Sequence, residues 1–421
     1  MEILFQTIIE SGVDKAFDRY ETLQISQYDY TQLAKNLHQE GYTLESISVL
    51  KRALQIHPRN PYLVKSIIPK IYQIILKPFY NKEGCSERAY MATMGYIDTI
   101  LPNDLKNDYF YIYEKHVEYL SSKTPAEKEA ALNYLEVFDE NQLNRQVYMK
   151  DGKSFPSQYE KWLKRKANLQ FDLRQFEACI KTVTSATLSQ WHNKNDIWLK
   201  RLKARSLCEL NHYKEAITIY KELLLKHPTW FMYHELSRIY LRTNQKEEAI
   251  VAVAKGCLGK DADPSKCFNL YLTMYDLLQT VDEKNYEAFL HFVFYIKTRK
   301  ENQYPIQREM NTKYERLLLQ YKEPMNLKKA LCKYWEDIVY SKAEKQVGTI
   351  KTILPNGKAG FIQYGLGKQI YFKMSNVKFS RKHAKEGKAV SFIIEDSFDM
   401  AKNKPSKIAT CICEMKVGAR Q

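Results

Sequence analysis

From residue 1 to about residue 340, apolar and polar residues alternate with the 3.6-residue period of amphipathic helices. The segment 27–60 is the clearest case, because Tyr30 and Leu37 share one helical face and Gly41 then interrupts the helix. A second amphipathic face follows and carries Ala53. The pattern predicts two helices joined by a short turn.

This helix pair recurs along the chain. The segments 197–229 and 230–263 repeat it, with Ala216 and Ala249 standing 33 residues apart. Two weaker copies are marked by Ala178 and Ala288. The spacing resembles the tetratricopeptide repeat, a helix pair of about 34 residues. The resemblance implies an α-solenoid, since a helix pair buries its apolar faces only by stacking on its neighbours.

The predicted solenoid spans residues 1–340 and is irregular in its central part. Residues 61–156 are expected to be helical but depart from the repeat. Within them, the run from Thr124 to Glu127 combines a capping box with a proline in the first turn. These features predict the start of a helix.

The surface of such a solenoid suggests where a partner would bind. Its first helices usually line a concave groove that holds a peptide or a partner protein, and less often RNA. The candidates for this groove are Trp162, Lys166, Trp198, Lys203, Tyr233, His234 and Arg238.

After residue 340 the period shortens to two, which is typical of strands. Asn356-Gly357 predicts a hairpin turn, because both residue types tolerate positive φ. The alternation places Phe361, Tyr371 and Lys373 together on one side of two adjacent strands. Rings beside lysines on an open sheet suit unpaired nucleic acid. On the residues alone, partly buried sheet aromatics are an equal alternative.

Three runs in this region resemble the strands of a cold-shock domain. They are residues 347–351, 360–362 and 370–375, and the match continues through 386–392 and 407–414. The resemblance implies a five-stranded OB-fold barrel over residues 346–416, whose second and third strands carry ribonucleoprotein motifs. The chain is therefore expected to be multidomain, with an α-solenoid and a small C-terminal β-barrel. No Gly/Ser-rich linker separates them, so the barrel is expected to lie close to the last helix.

The resemblance also implies a binding surface for single-stranded nucleic acid, with rings stacking on bases and cations meeting phosphates. The residues predicted to form it are Lys351, Lys358, Phe361, Tyr371, Lys373, Lys378, Phe379, Arg381, Lys382 and Lys388. The chain departs from the family where aromatic residues are replaced by Thr352, Ala359 and Met374, and where Lys373 replaces a histidine. Each lost stacking platform is worth about 1–3 kcal/mol per base.

Charge supports a polyanionic partner. The formal net charge is +16, and from Lys342 to Gln421 there are 16 lysines and arginines against 6 acidic residues. A basic segment this concentrated attracts nucleic acid through its long-range field and through counterion release.

Other chemistry is not indicated by the sequence. The eight cysteines are dispersed without CxxC or zinc-ligand spacing, so reduced thiols in a cytoplasmic protein are expected, with no metal or cofactor. No apolar run approaches the 18 residues of a membrane span. Nucleotide-binding, metalloprotease and serine-hydrolase motifs are missing, and no enzymatic activity is predicted.

Two functions therefore fit the sequence. In the first, the barrel binds single-stranded RNA or DNA, RNA being favoured, while the solenoid binds a protein or peptide partner. In the second, the chain is a scaffold or regulator whose barrel contacts proteins without nucleic acid. Thr352, Ala359 and Met374 separate the two, because nucleic-acid binding depends on whether charge compensates for those three losses.

Overall fold

The computed structural model describes residues 1–186, 191–192, 196–399 and 402–415. The chain forms two compact units, residues 1–195 and 196–421. The predicted boundary between solenoid and barrel, at residues 340–346, falls inside the second unit and stays a prediction.

The first unit consists mainly of helices packed against their neighbours in the sequence. They are α1 (Glu2–Ser11), α2 (Val13–Arg19), α3 (Gln27–Gln39), α4 (Thr43–Ile56), α5 (Pro61–Ile71), α6 (Lys77–Asn81), α7 (Glu87–Ile100), α8 (Phe110–Ser121), α9 (Pro125–Glu136), α10 (Gln158–Asp172) and α11 (Phe176–Thr184). The predicted start of α9 is confirmed, because Thr124 and Glu127 form a reciprocal capping box.

One part of the central region is not helical. Strands β1 (Tyr148–Lys150) and β2 (Lys153–Phe155) form an antiparallel hairpin. Its turn residues, Asp151 and Gly152, have φ values of 51° and 71°. Positive φ at both positions is the requirement of a type I′ hairpin turn, and Asp-Gly is a strong signal for it. The expectation that residues 61–156 are helical is therefore wrong over this hairpin.

The second unit begins with further helices. They are α12 (Ile197–Glu209), α13 (Tyr213–Lys226), α14 (Trp230–Arg242), α15 (Lys246–Cys257), α16 (Pro264–Leu278), α17 (Asn285–Glu301), α18 (Arg308–Gln320) and α19 (Leu327–Tyr340). The pairs α12/α13 and α14/α15 coincide with the two predicted repeats at 197–229 and 230–263.

The turn between the two helices of a pair has the same backbone conformation in four of the pairs. After α12, Asn211 adopts φ of 62° and the His212 amide donates 2.8 Å to the carbonyl of Leu207. This six-to-one hydrogen bond with a left-handed residue before it is a Schellman cap. The same positive φ recurs within the pairs α3/α4, α10/α11 and α14/α15, at Gly41, Arg174 and Asn244.

Small residues allow the paired helices to approach closely. Ala34, Ala204, Ala216 and Ala249 are fully buried. Between α3 and α4 the hydroxyl of Ser46 donates 2.5 Å to the carbonyl of Ala34. Together with the shared turn, this packing confirms the predicted α-solenoid of tetratricopeptide-like pairs.

The remaining strands form a closed barrel. They are β3 (Lys345–Ile353), β4 (Ala359–Tyr364), β5 (Lys368–Lys373), β6 (Ala389–Asp399) and β7 (Lys404–Glu414), in the order β3-β4-β5-β7-β6. Strand β6 pairs back with β3, and the β5/β7 pair is parallel. Ile350, Ile362, Phe372, Val390 and Phe392 fill the core.

Two glycines let the barrel close tightly. A Cβ on Gly360 would lie 2.3 Å from the Thr352 carbonyl oxygen and 2.7 Å from the Phe372 ring. A Cβ on Gly348 would lie 2.5 Å from the carbonyl oxygen of Gln363. Backbone atoms cannot yield as a flexible side chain does, so both positions exclude any larger residue.

The barrel lies against the helices of its own unit. The side chain of Tyr340, the last residue of α19, lies close to Thr410 on β7 and Glu395 on β6. From the same helix, Glu336 lies 2.5 Å from Lys378 Nζ. The expectation that the barrel lies close to the last helix is confirmed.

Other contacts reach the barrel from helices earlier in the unit. Lys226, the last residue of α13, places Nζ 4.6 Å from the centre of the Phe398 ring on β6. Lys260, between α15 and α16, donates 2.9 Å to the hydroxyl of Ser375. Residues of several helices of this unit therefore contact the barrel.

A buried histidine ties α17 to α19. The indole Nε1 of Trp335 donates 2.8 Å to Nε2 of His291, so His291 Nδ1 carries the proton that it donates to the Glu287 carbonyl. Burial lowers the pKa of His291 to about 4. The histidine is therefore neutral in the fold at pH 7.

Gly360→Ala is predicted to destabilise the second unit by about 1–3 kcal/mol, the usual cost of overpacking. The measurement is urea unfolding of the full chain. Gly95→Ala is the control, because a Cβ on this helical glycine meets nothing within 4 Å. Equal stability of the two variants would contradict the close approach at Gly360.

Acid is predicted to destabilise the second unit through His291. Its folded pKa lies below the unfolded value of about 6.5, so the unfolded chain binds more protons and stability falls from pH 6.5 towards pH 4. His291→Gln, which keeps a donor and an acceptor, is expected to flatten the decline of the melting temperature. Replacing the exposed His212 with Gln should leave the decline unchanged, and identical slopes for all three proteins would refute the prediction.

Candidate nucleic-acid interface

One row of side chains crosses three strands of the barrel. Thr352 on β3 stands beside Phe361 on β4, which stands beside Tyr371 on β5. The rings of Phe361 and Tyr371 are 5.8 Å apart at 67°, edge to face, and both are partly exposed. Thr352 is exposed. We call these three residues the barrel row.

The barrel row faces outward because of an extra residue in β3. Ile350 pairs with Ile362 and Thr352 pairs with Phe361, so Lys351 is a bulge between them. In a regular strand Ile350 and Thr352 would share one face. The bulge keeps Ile350 in the core and turns Thr352 outward.

Exposed lysines surround the row. Lys351 occupies the bulge, and Lys373 pairs with Ala359, two residues before Phe361 on the same strand. Lys358 lies in the β3–β4 turn, where its carbonyl accepts from the Met374 amide at 2.8 Å. Rings and ammonium groups are thus neighbours on one face of the barrel.

The turn before β4 differs in detail from the prediction. Gly357 has φ of 64°, whereas Asn356 is not among the residues with positive φ. Instead, the Asn356 side chain accepts from the Lys358 amide at 2.9 Å. Asparagine stabilises the turn here as a hydrogen-bond acceptor.

The basic segment 378–388 crosses from one strand to another. The Lys378 amide donates 2.8 Å to Ile412 on β7, and the Gly387 amide donates 2.8 Å to Ile350 on β3. Between these ends, Arg381 and Lys382 are exposed on a short 3-10 turn.

Two predicted phosphate contacts already have carboxylate partners. Lys378 pairs with Glu336 of α19, and Lys388 pairs with Glu414 at the end of β7. A phosphate would have to displace these carboxylates, although exposed ion pairs are weak. Arg381 and Lys382 are the more accessible cations of the segment.

Two positions predicted to bear on base stacking, those of Phe379 and Met374, belong to the barrel core. Phe379 packs against the barrel core, so its ring is not an open platform. Met374 is 7 % exposed and also belongs to the core. Methionine at this position therefore replaces a core residue, and no exposed ring is lost.

The predicted groove residues of the first unit do not form an open surface. Trp162 is buried, and its Nε1 donates 2.8 Å to the Leu135 carbonyl. Lys166 places Nζ 4.9 Å from the centre of the same indole ring. Trp162 is a packing residue, which corrects its assignment to the groove.

In the second unit the first helices of successive pairs contact one another. Trp198 on α12 stacks on Phe231 of α14, and Lys203 on α12 is partly buried. His234 on α14 lies 2.9 Å from the hydroxyl of Thr273 on α16, and burial lowers the pKa of this histidine.

A cleft of about 430 Å³ lies between α14 and α16. His234 and Arg238 from the predicted groove line it, together with Asn269, Thr273 and Asp276. Its wall therefore combines apolar surface with polar groups of both charges.

Tyr233 faces a different neighbour. Burial raises the pKa of its hydroxyl to about 12, and Glu395 of β6 adds to the effect. Tyr233 is therefore partly buried near Glu395 and is not among the residues that line the cleft between α14 and α16.

Several residues that contact the predicted sites were not predicted from the sequence. Phe231 follows its stacking partner Trp198 by 33 residues, and Glu235 follows its ion-pair partner Arg201 by 34 residues. The repeat period itself is the signal that pairs them. Lys260 has no comparable signal, because its contact with Ser375 depends on where the barrel lies.

Two further features of the described residues bear on function. They include no helix that is both long and apolar enough to cross a membrane. They also include no group of three or more His, Cys, Asp or Glu side chains placed to hold a metal ion.

No family model and no curated protein sequence matches the chain. Among solved structures, MamA from Desulfovibrio magneticus RS-1 shares 16% identity, with 46% of this chain and 96% of MamA covered and a TM-score of 0.34. A tetratricopeptide repeat protein from Parabacteroides merdae shares 15% identity over 73% of this chain and 98% of its own, with a TM-score of 0.33. Human IFIT1, solved as a dimer with PPP-AAAA, shares 10% identity over 80% and 77%, with a TM-score of 0.36. A likeness at this level says nothing about a ligand.

Proposed function

We propose that the barrel binds single-stranded nucleic acid, RNA in preference to DNA, while the solenoid binds a protein or peptide partner. The chain is then an adaptor and not an enzyme. The observation that carries the proposal is the barrel row, in which two partly exposed rings lie side by side among exposed lysines.

The barrel's topology supports a cold-shock-like OB fold. Its order of β3-β4-β5-β7-β6, with a parallel pair between the third and fifth strands, is the strand order of OB barrels. OB folds bind single strands on the face of their second and third strands. In this barrel those strands are β4 and β5, which carry Phe361 and Tyr371.

Stacking and charge both contribute to the affinity for the strand. Two rings provide about 1–3 kcal/mol for each stacked base, without strong preference for base identity. Lys351, Lys358 and Lys373 add phosphate contacts, which release counterions and make affinity depend on salt. Because Thr352 leaves the third position of the row without a ring, charge is expected to contribute a large share of the affinity.

The solenoid's partner is assigned to the cleft between α14 and α16. A cleft of about 430 Å³ with His234, Arg238, Asn269 and Asp276 in its wall offers apolar contact and donors for a peptide backbone. Dispersed cysteines without CxxC spacing fit a reducing, cytoplasmic compartment.

The alternative function is a scaffold whose barrel contacts only proteins. The ion pairs of Lys378 and Lys388 favour it, since both lysines already neutralise carboxylates. Binding of single strands by the intact chain decides between the two proposals.

Phe361→Ala/Tyr371→Ala is predicted to weaken binding of labelled oligouridylate by about 30-fold or more, because two stacking platforms are removed. The measurement is fluorescence anisotropy at two salt concentrations, with oligothymidylate as the DNA comparison. The slope of affinity against salt should change little, since the lysines remain.

Leu366→Ala is the matched control for this experiment. Leu366 is fully exposed in the β4–β5 turn, outside the barrel row. If the double variant keeps its affinity and salt abolishes binding, the strand binds to a nonspecific basic surface and not to the two rings. No binding at low salt would refute nucleic-acid binding and favour the scaffold function.

Thr352→Trp is predicted to tighten binding of the same oligonucleotides by about 5- to 100-fold. Thr352 is exposed and adjacent to Phe361, so the new ring extends the row by one base. Leu366→Trp adds the same side chain to the barrel away from the row and should have no comparable effect. Equal gains from both substitutions would argue against the row as the path of the strand.

A further inference from the structure

The helices α12 and α14 contact each other through an aromatic stack that involves no residue of the barrel. The rings of Trp198 and Phe231 lie 5.9 Å apart with 13° between their planes. Trp198 nevertheless keeps 49 % of its surface exposed. Phe231 therefore covers one side of the indole, while much of the rest faces solvent. Of the other tryptophans in the described residues, Trp162 and Trp335 are buried, and Trp191 and Trp230 are partly buried.

An arginine fixes this stack in place. The Arg201 guanidinium lies 5.7 Å from the Trp198 ring centre and 4.9 Å from that of Phe231. Two hydrogen bonds of 2.8 and 2.5 Å hold it to the carboxylate of Glu235, which also accepts from the Tyr220 hydroxyl at 3.0 Å. A ring immobilised in this way loses little conformational entropy when a ligand stacks on it.

The surroundings of the stack are basic. The cations on α12 and α14 are Lys200, Arg201, Lys203, Arg205, Arg238 and Arg242. The two helices themselves carry two acidic residues, Glu209 and Glu235. Beside them, Asp196 pairs with Lys200 at 2.6 Å, Asp261 accepts from the Trp230 amide at 3.2 Å, and Asp276 of α16 lines the same cleft as Arg238. Six cations therefore face five carboxylates here, and the excess of positive charge lies on the two helices that carry the indole ring and its stacking partner.

An aromatic ring beside excess positive charge fits a ligand that is both planar and anionic. A nucleotide has both properties, since its base stacks and its phosphate meets arginine or lysine. An apolar or proline-containing peptide would use the ring but leave the cations unmatched. The charge excess thus favours nucleic acid at this surface.

We propose that Trp198 is a stacking position for an unpaired base of single-stranded nucleic acid, whose phosphates are met by the basic side chains of α12 and α14. The helices then contact the strand directly. The inference rests on the proposed class of ligand, but it does not depend on the barrel row, because different residues carry the two sites.

The test is a titration of the full chain with an oligoadenylate, followed by intrinsic tryptophan fluorescence and by anisotropy of a labelled copy. Quenching of the exposed indole is expected in the wild type, and Trp198→Phe should remove that signal while keeping affinity within about threefold. Trp198→Ala should weaken binding by about 5- to 100-fold. Ribose 5-phosphate, which has no base, should not quench.

Tyr62→Ala is the matched control, since this tyrosine of α5 is 71 % exposed and should not affect binding. Repeating the titration with Phe361→Ala/Tyr371→Ala separates the two sites, because quenching at Trp198 should persist without the barrel rings. Equal affinities for Trp198→Ala and Tyr62→Ala would overturn the inference. Quenching by an acidic, proline-containing peptide but not by oligoadenylate would also overturn it, in favour of a protein ligand.

Discussion

The extra residue at Lys351 is the constraint on which the barrel's outer face depends. A strand with strict alternation cannot place Ile350 in the core and Thr352 two residues later on the surface. The bulge makes both placements possible. Gly348 and Gly360 then allow the backbones of β3 and β4 to approach each other closely. Without the bulge, Thr352 would not lie on the outer face beside Phe361 and Tyr371.

Much of the fold could be predicted because its signals are local. A turn that needs positive φ and small residues at helix crossings identify the pairs at 27–60 and 197–263 from sequence alone. Alternation likewise places Phe361 beside Tyr371. The hairpin at Asp151-Gly152 also had a local signal, but the surrounding helical pattern outweighed it. No residue type or spacing around Lys351 predicts the bulge.

What could not be predicted depends on partners far away in the chain. Trp162 is buried because the Leu135 carbonyl accepts its indole proton, and Lys378 is paired because α19 ends beside β7. Such contacts arise only when the elements pack. The same packing places Tyr233 near Glu395 of β6, while His234, the next residue, lines the cleft between α14 and α16.

The 33-residue interval between Trp198 and Phe231 restricts how this chain can evolve. Each residue inserted into α13 would turn the following side chains by about 100° around the helix axis. A single insertion would therefore take Phe231 away from the indole and Glu235 away from Arg201. Length changes are tolerable only where they leave the number of residues between the two rings intact. The lineage of this protein should show a rigid repeat length here, even where the residues themselves have changed.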